Sequence, residues 1–188
     1  MINRFNKAIK YYFEDKDYNK AYNSFYKLAK EGYLDAQEMI ADMLLSGTGV
    51  EKNIEESGYW YKQAALQGNL NSMHQYAFFC LDYNRKEEAD IFFKKMIEQN
   101  YLPAIYNIAS FYHEGNFGYS VDKKEALLLY KKGCKLKDFK SCIQAYGIIK
   151  ELNGQKKATK FLSEEVGLWR FFKIFILSRF QKIKNKFS

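Results

Sequence analysis

The stretch Met39–Gly68, MIADMLLSGTGVEKNIEESGYWYKQAALQG, decides the fold. Its apolar residues fall at helical spacing as far as Leu45, a Ser-Gly-Thr-Gly segment interrupts them, and the spacing resumes from Ile54 until Gly68 ends it. The pattern is helix, glycine loop, helix, tight turn. Neither helix can bury its apolar stripe alone, so such a unit is stable only with copies of itself stacked on either side.

The rest of the chain supplies the copies. In the second helix, Ser57, Tyr61 and Ala65 lie four apart and share one face. The same small, aromatic, small-or-apolar triplet recurs as Ala21, Phe25, Ala29, as Ala89, Phe93, Ile97, and as Ala126, Tyr130, Cys134. Seven residues after each triplet a small residue opens the next helix: Ala36, Ser72, Ala104 and Ser141. The triplets begin at residues 21, 57, 89 and 126, a near-constant period typical of helical-hairpin solenoids. Gly32, Gly68, Asn100 and Lys137 stand at the turns between units, and three of these four are types that suit a helix end. Extending the register in both directions predicts a first helix over 2–13 and a partner helix over 155–162. The expectation is therefore an all-α solenoid of about five helix pairs over 1–163, followed by a basic apolar segment over 164–188.

The two long loops have readable chemistry. Gly47 stops a helix in a left-handed conformation, Gly49 permits the reversal, and Val50 can return to the core. Asn53 with Glu56, and Asp122 with Glu125 in the later loop, are expected to form capping boxes. The Gly-x-Gly here follows a helix, not a strand, and lacks the Gly-Lys-Ser/Thr ending of a phosphate loop, so no nucleotide or other cofactor is expected.

Residues 44–68, with Gly-Thr-Gly-Val, Tyr59-Trp60-Tyr61-Lys62 and Ala64-Ala65-Leu66-Gln67-Gly68, closely resemble a Sel1-like repeat, a relative of the tetratricopeptide repeats. Gly115–Gly133 is similar, with Val121-Asp122-Lys123-Lys124-Glu125-Ala126 and Leu129-Tyr130-Lys131-Lys132. Weaker copies cover most of residues 1–162. Where the family usually has glycine in the first helix, this chain has Ala41, Ala77, Ala109 and Tyr146. The resemblance implies a right-handed alpha-alpha superhelix whose concave surface binds proteins or peptides, a scaffold and not an enzyme. Small bacterial proteins of this type act as adaptors, or as immunity proteins that neutralise a partner toxin.

If the first helix of each pair lines that concave groove, the register names its exposed positions. They are Glu38 and Asp42 in pair two, His74 and Phe78 in pair three, Tyr106, Ser110 and His113 in pair four, and Lys140 and Ile143 in pair five. Such a groove runs from acidic to basic and holds both histidines, although a charged helical face needs no function. Cys134, Cys142, His74 and His113 are metal-ligating types, but their spacing fits no metal site, and Cys80 and Cys134 replace core residues of other repeats. No Cys/His motif of catalytic spacing is present.

Three cysteines, an odd number without paired spacing, argue against a disulfide framework and for a reducing compartment. With no signal-peptide core at the N-terminus, the expected location is cytoplasmic, with the inner face of the membrane as a second setting. Most of the formal +8 charge sits in the tail, where residues 168–188 carry six basic and no acidic side chains. Trp169, Phe172, Ile176, Phe180 and Ile183 fall on one helical face, interleaved with Arg170, Lys173, Arg179, Lys182, Lys184 and Lys186. The segment reads as a C-terminal cap, with a second face for a partner such as a toxin or secretion-related protein. The alternative function is a peripheral membrane-associated scaffold anchored by this helix. Nucleic acid is not the expected partner, since the near-neutral body lacks a broad basic footprint.

Overall fold

A computed structural model describes residues 2–165, and every regular element among them is helical. The helices are α1 Ile2–Phe13, α2 Tyr18–Lys30, α3 Leu34–Ser46, α4 Ile54–Leu66, α5 Leu70–Asp82, α6 Lys86–Glu98, α7 Leu102–Glu114, α8 Lys123–Lys135, α9 Phe139–Asn153 and α10 Gln155–Glu165. They form five successive pairs, including the expected first helix and the partner helix near 155–162. The chain divides into two compact units, Met1–Met96 and Ile97–Ser188, with the division in the last turn of α6. Trp169, Arg170, Phe172, Lys173, Arg179 and Lys182, with the cap and membrane readings they carry, lie outside the described residues.

Burial follows the repeat. Ala21, Ser57, Ala89 and Ala126 are buried, as are Phe25, Tyr61, Phe93 and Tyr130 four residues on and Ala36, Ser72, Ala104 and Ser141 at the next helix start. The small residues let neighbouring helices approach, and each aromatic fills the space beside them; a large side chain buried this way is worth roughly 1.5–3 kcal/mol. Serines at small positions bring a hydroxyl that needs a partner. Ser57 Oγ donates to the Ala41 carbonyl (2.8 Å) and Ser141 Oγ to Asp138 Oδ2 (2.5 Å), while Ser72 Oγ has none.

The turns between pairs share one geometry. Gly32, Gly68, Asn100 and Lys137 all adopt positive φ, at 86°, 99°, 58° and 67°. Lys137 is held there although its side chain does not favour it, because its N–H donates to Cys134 O (2.9 Å) and that of Asp138 to Gly133 O (3.0 Å). This turn overturns the reading of the cysteines. Residues eight apart face one another across it: Gln37 Nε2 donates to the Ala29 carbonyl (3.2 Å), and at the matching positions 134 and 142 both residues are cysteine. Cys134 and Cys142 are joined as a disulfide with their Cα atoms 4.7 Å apart, and only Cys80 is a free thiol, buried in α5. The pairing was invisible to cysteine spacing alone because it belongs to the turn register. It also removes the cysteine argument for a reducing compartment, where disulfides are rare.

The glycine loops correct one further detail. Asn53 accepts from the Glu56 N–H (3.0 Å), and Asp122 from Lys124 and Glu125 (2.9 and 3.0 Å), so both caps form. The reciprocal half of each expected box does not, because the cap N–H groups are used elsewhere: Asn53 donates to Leu44 O (2.9 Å) and Asp122 to Tyr112 O (2.8 Å). Each loop is thereby tied to the helix before it. In the second loop the residue returning to the core is Tyr119, which packs on Phe111 and Tyr112 at ring separations of 5.4 and 5.2 Å, while Val121 is exposed.

Gly49 is the loop glycine that nothing can replace. Its φ is +72°, and a Cβ added there would stand 2.4 Å from the Tyr18 carbonyl oxygen, whereas one at Gly68, φ +99°, would meet open space. Gly68→Ala is therefore expected to cost about 1 kcal/mol of backbone strain, and Gly49→Ala distinctly more than about 2 kcal/mol, in urea unfolding. Equal costs would contradict the close approach of loop and α2. Ser72→Ala, which installs the residue found at positions 36 and 104 and removes an unpartnered buried hydroxyl, is expected to raise stability by about 1 kcal/mol in the same assay. A loss instead would mean that the hydroxyl is satisfied.

Candidate functional site

The register residues of the first helices gather into two groups, one in each unit. In Met1–Met96, α3 carries Glu38 and Asp42 and α5 carries His74 and Phe78. Asp42 is exposed, and the other three are half-buried. Asp42 Oδ1 accepts from the Tyr61 hydroxyl of α4 in a short contact, and Glu38 Oε2 accepts from Asn69 Nδ2 (2.8 Å). Phe78 meets His74 at 5.0 Å and Phe93 of α6 at 6.0 Å between ring centroids. Burial of its carboxyl end against Tyr61 pushes the Asp42 pKa up, although the residue as a whole is open to solvent; the Tyr61 hydrogen bond opposes the shift. Burial lowers that of His74.

In Ile97–Ser188 the buried Tyr130 of α8 is the centre. Tyr106 meets it at 5.6 Å and His113 at 6.2 Å, both from α7, and burial pushes its phenol up to about 12 while a hydrogen bond with Ser110 acts the other way. Ser110 Oγ also reaches Glu114 Oε1 (3.1 Å). Lys140 and Ile143 are exposed on α9. Among the described residues no group of three or more His, Cys, Asp or Glu could hold a metal ion.

One register position explains both groups. Six residues after the small residue that opens the first helix stand Asp42, Phe78 and Ser110, and each lies over the triplet aromatic of its own pair. Asp42 and Ser110 cover tyrosines, and Phe78 covers a phenylalanine. A buried phenol needs a polar partner, and a buried phenyl ring does not. The choice of Tyr at 61 and 130 against Phe at 25 and 93 was a readable sign of this pairing.

A polar cluster that the register did not name braces α4, α5 and α6. Glu88 Oε1 accepts from Lys62 Nζ (2.9 Å) and from the Tyr76 hydroxyl (2.7 Å), and Arg85 approaches Oε2 at 3.4 Å. Lys62 and Arg85 also sit over the Tyr76 ring, at 5.3 and 5.9 Å. The hydrogen bond from Tyr76, then that from Lys62, holds the Glu88 carboxyl below its ordinary range despite partial burial.

Helix pairs repeated at this period, with a constant buried triplet and variable first-helix faces, define a helical-hairpin repeat solenoid. The Sel1 repeat family model matches at residues 34–69 and 102–138, so the chain carries Sel1 repeats, and these contain both glycine loops. No curated protein matches the chain. Among solved structures it is similar to a protective antigen of uropathogenic Escherichia coli strains displaying an SLR fold. That match has 21% identity and a TM-score of 0.69, and covers 86% of this chain and 37% of that one. It is also similar to a Sel1 repeat protein from Oxalobacter formigenes, with 23% identity, a TM-score of 0.70, and 85% and 69% coverage. The chain thus spans little more than a third of the first of these. Among the described residues no helix is long and apolar enough to cross a membrane.

The Glu88 cluster makes stability depend on pH with a definite sign. A carboxyl held below its ordinary pKa contributes stability that is fully present above about pH 4.3 and is lost as the pH falls through its folded value. Glu88→Gln is expected to cost about 1 kcal/mol at pH 7, with a smaller gap from the parent at pH 3. Urea titrations at the two pH values check this, and a gap that stays constant would assign the loss to packing.

Proposed function

We propose that this chain is a protein-interaction module that docks a partner protein or peptide on the face built by its first helices. One observation carries the reading: the buried positions repeat with nearly fixed chemistry, while the positions above them differ from pair to pair. Acidic Glu38 and Asp42 give way to His74 and Phe78, then to Tyr106, Ser110 and His113, then to Lys140 and Ile143. Packing explains the constancy and the match of Asp42, Phe78 and Ser110 to the aromatics beneath them, but it does not call for the variety at the remaining positions, whereas recognition of one particular partner does. The hydrogen bonds of Asp42 with Tyr61 and of Glu38 with Asn69 fix two of these side chains beforehand, which lowers the ordering cost of binding. In this reading the chain serves as an adaptor or an immunity-type protein for a toxin or secretion-related partner, and the basic aromatic tail adds a contact with that partner or with a membrane surface.

Charge reversal at Glu38 and Asp42 would break their bonds to Asn69 and Tyr61, so the cleaner test is the double variant Glu38→Gln, Asp42→Asn, which keeps an acceptor at each site and removes both charges. Affinity capture from the native cell is expected to lose the partner recovered by the parent chain, with the melting temperature within a few degrees of the parent's. An unchanged set of captured proteins would refute the acidic end of the face as a docking surface.

A further inference from the structure

A second recessed surface lies on the other side of the first two pairs, where α2 and α4 stand beside one another. Tyr26, Lys30, Glu56, Tyr59, Trp60 and Gln63 line a cleft of about 500 Å³ there. Its walls are aromatic: the Tyr26 and Trp60 rings meet edge to face at 5.8 Å, Tyr59 and Trp60 likewise at 5.1 Å, and Tyr22 stacks on Tyr26 at 5.7 Å. Trp60 is buried and fixed, while Tyr59 is 54% exposed. None of these contacts belongs to the first-helix face.

The charges point to the sign of a ligand. The Trp60 indole N–H donates to Glu56 Oε1 (3.4 Å), which leaves Oε2 as an acceptor beside the aromatic walls. Burial, and then the negative charge of Glu56, raises the Tyr22 phenol pKa, so the field of that carboxylate is felt along the aromatic row. A cation already uses one wall, since Lys30 Nζ stands 4.9 Å from the centre of the Tyr26 ring. Lys30 is exposed on a flexible stem, and the cation–π contact is its one interaction among the described residues. Aromatic faces with a carboxylate between them attract a cation and repel an anion. A planar guanidinium suits them better than an ammonium, because it stacks on a ring while its N–H groups reach a carboxylate.

We propose that the cleft between α2 and α4 takes an arginine side chain of a partner polypeptide, stacked in the aromatic walls and paired with Glu56, with Lys30 as the resident cation it displaces. The site is independent of the first-helix face, so failure of either leaves the other standing.

The Trp60 indole N–H is the reporter, separated from that of Trp169 in a Trp169→Phe background and followed by two-dimensional NMR. The probes are a capped Gly-Arg-Gly peptide and its citrulline counterpart, which keeps the shape and loses the charge. The arginine peptide is expected to shift the indole resonance saturably and to bind about fivefold more tightly than the citrulline peptide. Glu56→Gln is expected to weaken it by a similar factor, and Lys30→Ala to tighten it by removing the competitor. No saturable shift, equal binding of the two peptides, or weaker binding after Lys30→Ala would each overturn the proposal.

Discussion

The close approach of consecutive helices at Ala and Ser positions is the constraint on which everything else depends. A residue larger than serine at 36, 57, 72, 89, 104, 126 or 141 would push the helices apart, and the aromatic four residues after each triplet start would no longer be enclosed. The approach fixes the turns as well. The chain must reverse within a few residues, and at Gly32, Gly68, Asn100 and Lys137 it does so through a left-handed residue. It is this reversal that brings residues eight apart face to face, as an amide on a carbonyl at Gln37 and Ala29 and as a disulfide at Cys134 and Cys142. One geometric demand therefore determines a hydrogen bond in one repeat and a covalent bond in another.

What the sequence made legible is what recurs. The triplets, helix starts, turn residues and glycine loops each appear several times, so register could be read even where one copy was weak, as at 2–13 and 155–162. The disulfide was missed because cysteines occupy the facing positions in only one repeat, and a single instance has no period. The capping boxes were half wrong for a related reason. The sequence displays Asn53 with Glu56 but not the backbone carbonyl of Leu44, which competes for the Asn53 N–H and wins. In the second loop Tyr119 is enclosed because Phe111 and Tyr112 offer it aromatic surface on the helix before it.

The helices that carry the register residues were legible in the sequence, and the contacts of their side chains were not. Helical register put Glu38 and Asp42 on the first helix of one pair and Tyr106 and Ser110 on the first helix of another, but it treated them as solvated side chains. Asp42 is the outer half of a polar pair with the buried Tyr61, and Glu38 is held by the half-buried Asn69. A buried phenol without a partner costs roughly 1–3 kcal/mol, so these surface residues carry structural weight. The cleft of Tyr26, Tyr59, Trp60 and Glu56 escaped notice because it joins the second helices of different pairs, a relation that the register of one hairpin does not display.

That double duty bears on how such a surface can diversify. A position whose side chain also satisfies a buried group cannot change freely; it must change together with the residue beneath it. Phe78 over Phe93 shows the apolar solution, and Asp42 over Tyr61 and Ser110 over Tyr130 show the polar one, within a single chain. Exchanging Asp42 for an apolar residue would strand the Tyr61 hydroxyl unless Tyr61 became Phe, and exchanging Phe78 for an acid would set a carboxylate against the Phe93 ring unless that ring gained a hydroxyl. The scaffold thus offers each pair a coupled choice of two residues, one hidden and one shown. Exposed positions without such a partner below, Lys140 among them, are the ones where charge can be altered at little cost to the fold.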